Sequence, residues 1–395
     1  MRKSKIEEIE YLRAFAFLAV VLQHAIAHYA YLPETELADG VSLVILLIAS
    51  KFAVPLFIFI TGLVLFYNYD GPFSYGSFLK KRFYDIAVPY LLWSVVYGLP
   101  QVLHQGGGPA AVIDMLRLFL TGKSSYHLWY IVMILQFYLL FPLYRSAIGW
   151  LKPWVRTPKR IGLALLAAAA VYMYLMKLVG PIYVMAEQWR IPIITPMFTE
   201  YEDRNALFFF FYFVLGAVAG LTLPYWREWL LRYDRAIHIA FYAMSAYLGY
   251  RCVASFETSP AFAIHYDDLS LLRPVMAGFL ILSILVLYRF GMRMAAAEGS
   301  SPAHKLLTAV GRYSYGAYLA HALALTFATL AADWMLPGVN VTLRTALAFV
   351  LCAFASELAS FLLSKLPFGK AVTGIGGARK NRVPATSGGS RSASG

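Results

Sequence analysis

Charge is scarce in this chain. Asp, Glu, Lys and Arg make up 14% of its 395 residues, 60% are hydrophobic and the mean hydropathy is +0.62. A typical soluble domain carries about 25% charged residues, so a water-exposed globular surface is excluded. Cysteine is nearly absent. The two present, Cys252 and Cys352, both fall within apolar stretches, which excludes a disulfide framework and any Cys-based zinc pattern. Strict apolar–polar alternation is missing from the hydrophobic runs, which argues against a membrane β-barrel. No repeat of 20–50 residues appears, so solenoids are excluded as well. The net charge of +13 has no basic face interleaved with exposed aromatics, and nucleic-acid binding finds no support.

What the chain has in abundance is long apolar sequence. Ten stretches are each long enough to cross a hydrocarbon core, which needs about 20 helical residues. They lie near 11–32, 41–67, 79–103, 126–147, 161–183, 205–223, 236–256, 269–290, 306–334 and 341–366. The expected fold is all-α, a polytopic integral membrane bundle of about ten transmembrane helices. Most Lys and Arg residues fall in the termini and every second loop, whereas the opposite loops carry Glu34, Glu36, Asp39, Glu200, Glu202, Asp203, Glu257, Asp267 and Asp268. By the positive-inside rule both termini are cytoplasmic. The excess positive charge is then topology and headgroup contact, and the expected location is the cell (plasma or inner) membrane, multi-pass. The first apolar run is too long for a signal peptide and lacks a small-residue cleavage site. Residues 1–370 are expected to form one transmembrane domain. Residues 371–395, rich in Gly, Ser and basic side chains, are expected to be a disordered cytoplasmic tail. Residues 110–120, in the loop near 104–125, suit a short surface helix.

Ionisable groups inside such spans are costly and mark sites. Arg13 and His24 lie in the first span. Eleven residues at about 100° each return to nearly the same face, about 16 Å along the axis. Arg13, one turn inside the cytoplasmic edge, suits bidentate binding of phosphate or snorkelling to headgroups. His24, deeper, suits a neutral imidazole base or a hydrogen bond to a neighbouring helix. His28, one turn further, extends the stripe toward the outer rim, and no further metal ligands follow the spacing. Lys51 sits mid-way along the second span before Pro55, which is expected to kink it. Lys51 must be paired, neutral or beside a wet cavity, and Glu357 in the tenth span is a candidate partner for it or for a histidine. Lys80, Lys81 and Arg82 open the third span as anchors or as ligands for an anionic cofactor. His127 and Trp129 begin the fourth span as belt aromatics or as a stacking surface for a sugar. His321 lies mid-way along the ninth span as a second polar-cavity candidate.

Several segments together resemble acyltransferase family 3. They are the Arg13-x10-His24 pair, Val54-Pro55-Leu56-Phe57 with Thr61-Gly62, Lys81-Arg82 leading to Val88-Pro89-Tyr90, His127-Leu128-Trp129-Tyr130, and Arg312-Tyr313-Ser314-Tyr315-Gly316 with Tyr318 and His321. The resemblance covers nearly the whole chain in order. It implies an integral membrane enzyme that moves an acyl group, acetyl or succinyl, from cytosolic acyl-CoA to a hydroxyl of a cell-surface or lipid-linked carbohydrate. No permanently bound cofactor is implied, with acetyl-CoA as the reference co-substrate. His24 and Arg13 would be the essential pair, Arg13, Lys81 and Arg82 the donor site, and His127, Trp129, His28 and His321 the acceptor side. Lys51 and Glu357 would be supporting polar groups. Two positions depart from the family's pattern. Asp85 stands three residues after Arg82 where many members have a second Arg, and Ser364-Lys365-Leu366-Pro367 lacks the Glu common before the last proline. These departures resemble the branch related to polysaccharide intercellular-adhesin proteins, some described as O-succinyltransferases and some as exporters, so polysaccharide export through the same cavity is the alternative expectation.

Overall fold

The computed structural model describes residues 4–104, 108, 110–151, 153–154, 157–257, 262–297 and 301–375. Sixteen α-helices follow one another: α1 (Glu8–Tyr29), α2 (Leu37–Ser50), α3 (Ala53–Asn68), α4 (Tyr75–Arg82), α5 (Val88–His104), α6 (Ala110–Thr121), α7 (Trp129–Leu151), α8 (Pro158–Trp189), α9 (Ile194–Phe198), α10 (Phe210–Leu221), α11 (Leu223–Arg232), α12 (Asp234–Ala254), α13 (Pro274–Ala296), α14 (Pro302–Met335), α15 (Val341–Ser364) and α16 (Gly369–Thr373). Among the described residues the only β-type pairing is one bridge, Glu257 to Ala263. With no water in a bilayer core, closing each backbone hydrogen bond within its own helix is the available solution for apolar runs of this length.

Among the described residues eight segments are long and apolar enough to cross a membrane: α1, α2 with α3, α4 with α5, α7, α8, α13, α14 and α15. The stretch ending in α10 makes a ninth when counted together with α11, from which it is bent by 106°. The seventh stretch, near 236–256, is the helix α12, which is not among these candidate spans because Arg235, His238 and Arg251 dilute its apolarity, so eight or nine spans stand where ten were expected. The surface helix expected at 110–120 is α6, which buries no residue.

Two spans are not the continuous rods expected. The second breaks at Lys51–Phe52, so Pro55 lies in the first turn of α3 and kinks nothing. A proline is tolerated there because first-turn N–H groups have no intrahelical acceptor. The third span passes through a π-helical turn, Phe83–Ala87, directly after Arg82. Single π turns recur where a helix re-aims side chains at a functional site.

Helix α1 is central and packs against α2, α3, α13, α14 and α15. The closest approaches are made by glycine. A Cβ on Gly216 would sit 2.0 Å from the Phe59 carbonyl oxygen, one on Gly62 2.2 Å from that of Phe213, and one on Gly220 2.4 Å from that of Leu63. Gly216 and Gly220, four apart, thus let α10 meet α3 backbone to backbone, the small-residue packing that membrane helices use in place of a hydrophobic driving force. Gly311 does the same for α14 on α1, where a Cβ would lie 1.9 Å from the Glu10 carbonyl oxygen.

Residues 369–375 add a feature the composition concealed. After α15 the chain turns back toward the bundle as α16. The indole Nε1 of Trp93 donates to the Val372 carbonyl at 3.0 Å, and Thr373 is buried. Residues 371–375 therefore belong with the bundle rather than with the tail, whose residues 376–395 lie outside the described residues.

Replacing Gly216 with Val puts a branched side chain against a helix backbone, an overpacking expected to cost about 1–3 kcal/mol or more. Thermal unfolding in detergent should fall clearly below wild type, whereas Gly149→Ala, with open space at its Cβ position, should leave the midpoint unchanged. Equal midpoints for both variants would contradict the close packing.

Candidate functional site

Two polar regions occupy the interior of the bundle, and α1 contributes to both. The first is a cavity of about 340 Å³ at the end of the bundle that carries the basic loops. Arg13, Arg82 and Arg312 line it together with Asp85, Thr61 and Ser314, over an apolar wall from Phe57, Ile60, Val64, Ile131 and Ile134. The π turn after Arg82 brings Asp85 and Ile86 to the same wall. The Arg82 guanidinium lies 5.3 Å from the ring centres of both Phe78 and Tyr138, and its Nε has no hydrogen-bond partner. Stacking between aromatic faces fixes the plane of the guanidinium while leaving donors free for an oxyanion. Lys80 and Lys81 point elsewhere. Both are exposed, and neither lines the cavity. Adjacent residues on a helix differ by about 100° in direction, so of the basic cluster only Arg82 faces inward.

The second region is a cluster of three histidines from separate parts of the chain: His24 on α1, His127 in the turn before α7, and His321 on α14. The rings of His24 and His321 stack with centres 5.3 Å apart, and His127 meets His321 edge-on at 4.5 Å. His321 and His127 are 0% and 1% exposed. The Nδ1 of His321 faces the Tyr318 carbonyl oxygen and must donate to it. In the neutral ring Nε2 is then a bare acceptor, and it has no partner. The Nδ1 of His127 lies 3.1 Å from Ser125 Oγ, and its Nε2 is likewise unpartnered. Buried polar atoms without partners are uncommon and call for a ligand, a water or a role. Among the described residues no group of three His, Cys, Asp or Glu side chains is disposed to hold a metal ion.

Tyr318 joins the two regions. Its ring lines the arginine cavity and lies 5.5 Å from His321 and 5.4 Å from His127, while its hydroxyl donates to the His127 carbonyl. Tyr130 and Phe57 complete the aromatic partition, at 5.8 Å from Tyr318 and 5.7 Å from Tyr130 respectively. The sequence signal for Tyr318 was its position three residues before His321 on one helix face.

Other sequence candidates fall at different places. His28 is exposed beyond the cluster, at the end of the bundle that carries the acidic loops. His127 presents no outer stacking surface, because it is buried, and Trp129 is turned against Phe209. The exposed ring is Tyr126, 54% accessible and 4.6 Å from His24, a residue that sequence reasoning passed over. Glu357 does not pair with Lys51. Its Oε1 is buried without a partner, while Lys51, at the α2–α3 break, lies within electrostatic range of His24 and Cys252. The break at Lys51–Phe52 interrupts the helix at the lysine, so the face that spacing along one continuous helix assigns to it does not hold. Cys252 and Cys352 are free and buried. At the acidic end, Lys123 pairs with Glu200 and holds that exposed carboxyl below its ordinary range.

A membrane-embedded helical bundle with an interior arginine cavity next to a buried histidine cluster is the class this architecture defines. The family model described as "Acyltransferase domain" matches residues 6–365, and the chain belongs to acyltransferase family 3. Its long apolar helices make it a multi-pass membrane protein of that family. An "Amino-acid racemase" of Enterococcus faecalis is 25% identical over 298 residues, which are 72% of this chain. The chain spans 38% of that relative's length. No solved structure matches.

Substituting Phe for His321 keeps the ring packing but removes the side-chain hydrogen bond to the Tyr318 carbonyl, a loss of about 1 kcal/mol. Thermal unfolding should register that drop, while His28→Phe at the exposed end should not change the midpoint. An unchanged midpoint for His321→Phe would show that the Nδ1 hydrogen bond contributes nothing.

Proposed function

We propose that the protein transfers an acyl group, acetyl or succinyl, from cytosolic acyl-CoA to a hydroxyl of a cell-surface or lipid-linked carbohydrate, acting in the cytoplasmic (plasma or inner) membrane. The observation that carries this reading is Tyr318, which touches both the arginine cavity and the histidine cluster in a member of an acyltransferase family. Arg13 and Arg82 line the cavity at the basic end, where a phosphate-bearing donor arrives from the cytoplasm. The cavity's apolar wall suits the acyl and thioester end, and the histidines lie beyond it toward the acceptor's side.

In the chemical step His24 accepts the proton of the acceptor hydroxyl as its oxygen attacks the thioester carbonyl. The carbon–oxygen bond forms and the carbonyl becomes an oxyanion, which fixed hydrogen-bond donors stabilise best when water is excluded. Collapse breaks the carbon–sulfur bond, and the leaving thiolate takes the proton back from the imidazolium. The products are an O-acyl ester and free CoA. The stacked His321, with its bare Nε2, holds the His24 ring in place.

Transfer from radiolabelled acetyl-CoA and succinyl-CoA into glycan, measured in membranes, tests the reading. Arg82→Ala is expected to raise the donor KM roughly 10- to 100-fold, the worth of a hydrogen bond to a charged group. Lys81→Ala, on the exposed face, should stay within about twofold. His24→Ala should lower kcat by roughly 10²–10⁴ at unchanged protein level. Full transfer by His24→Ala would overturn the mechanism, and glycan translocation persisting without any acylation would replace it with export.

A further inference from the structure

We infer that the re-entrant C-terminal segment, residues 369–375, is a wall of the donor site, and that its Lys370 neutralises Asp85 so that the carboxylate does not offset the cavity's arginines toward an anionic donor. This rests on the assignment of the arginine cavity to acyl-CoA. Four features of the segment support it independently of that assignment.

Thr373, Gly374 and Ile375 line the same cavity as Arg13 and Arg82. The segment is held closely rather than draped. Gly374 adopts φ +68, and a Cβ there would lie 2.5 Å from the Asp85 carbonyl oxygen and 2.7 Å from the Tyr315 ring. Only glycine meets both requirements without strain. The backbone is pinned by Trp93 Nε1 on the Val372 carbonyl, and α14 makes room with Gly316, where a Cβ would press on Thr373. Finally, Lys370 Nζ lies 2.9 Å from Asp85 Oδ1.

The charge arithmetic of the cavity makes that last contact matter. Asp85 lines the wall one π turn from Arg82, a position where a carboxylate repels the phosphates that Arg13 and Arg82 would attract. Two like charges a few ångströms apart at a partly screened site oppose binding by about an order of magnitude or more. Lys370 cancels the carboxylate from outside the cavity. The side chain of Asp85 is 20% exposed and that of Lys370 54%, so the pair sits at the cavity's rim rather than deep within it. The sequence therefore carries an acid in the third span and its counter-ion on a segment almost 300 residues later.

Equilibrium binding of coenzyme A to the purified full-length protein tests the inference, with thermal midpoints measured alongside. Lys370→Gln uncovers the carboxylate and is expected to weaken CoA binding roughly tenfold. Asp85→Asn leaves the Lys370 charge uncompensated beside the cavity and should tighten it. The double variant Asp85→Asn/Lys370→Gln should return binding close to wild type although the ion pair is gone. A merely mechanical latch predicts the opposite pattern, in which both single variants and the double variant weaken binding alike and lower the midpoint together. That pattern, or unchanged binding by Lys370→Gln, would overturn the inference while leaving the function intact. Failure of wild-type protein to bind CoA would overturn both.

Discussion

The constraint from which the rest follows is that charge and hydrogen-bonding capacity cannot face hydrocarbon. Arg13 and His24 sit on one helix of an apolar bundle, and each can persist there only if other helices enclose it. Helix α1 is accordingly surrounded by α2, α3, α13, α14 and α15. The polar interior is then divided by depth. Arginines collect near the basic end, where a water-soluble anion can reach them, and imidazoles, which can be neutral, collect deeper. The aromatic partition of Phe57, Tyr130 and Tyr318 separates the two. That division keeps arginine within reach of water and leaves to the low-dielectric middle only groups able to be neutral.

Such an interior needs exact backbone positions, and glycine supplies them. Gly216 and Gly220 set α10 against α3, Gly311 sets α14 against α1, and Gly316 opens a place for the C-terminal segment. At each, a carbonyl or a buried hydroxyl occupies the space a side chain would take. The irregular elements lie beside the site for the same physical reason. The break at Lys51–Phe52 and the π turn at Phe83–Ala87 free backbone groups and re-aim side chains, which is tolerated at membrane depth only where protein or a polar cavity receives them.

Much of this was legible in the residues because burial in a bilayer makes polar groups conspicuous. Arg13, His24 and His321 stood out in apolar runs, and the polytopic helical bundle followed from length and hydropathy, although eight or nine segments among the described residues qualify as spans where ten were expected. The Gly216-x-x-x-Gly220 spacing was also present in the sequence, though it names no partner helix. What remained hidden depends on pairings between distant segments. Spacing along one helix cannot say that Asp85 meets Lys370, or that Glu357 does not meet Lys51. Neighbouring basic residues look alike in sequence, yet a 100° turn sends Lys81 out and Arg82 in. Tyr126 was passed over beside His127, although the turn exposes the first ring and buries the second. The C-terminal wall was masked by the Gly- and Ser-rich stretch that follows it.

The central claim is that the histidine cluster performs acyl transfer to a carbohydrate across this bundle. Mass spectrometry of surface glycans from cells expressing wild type, no protein, or His24→Ala at equal membrane abundance tests it most directly. The account predicts an O-acyl mass increment in the wild-type glycan alone, whose size distinguishes acetyl from succinyl. Glycans of equal mass from all three strains, or the increment persisting in the His24→Ala strain, would contradict it.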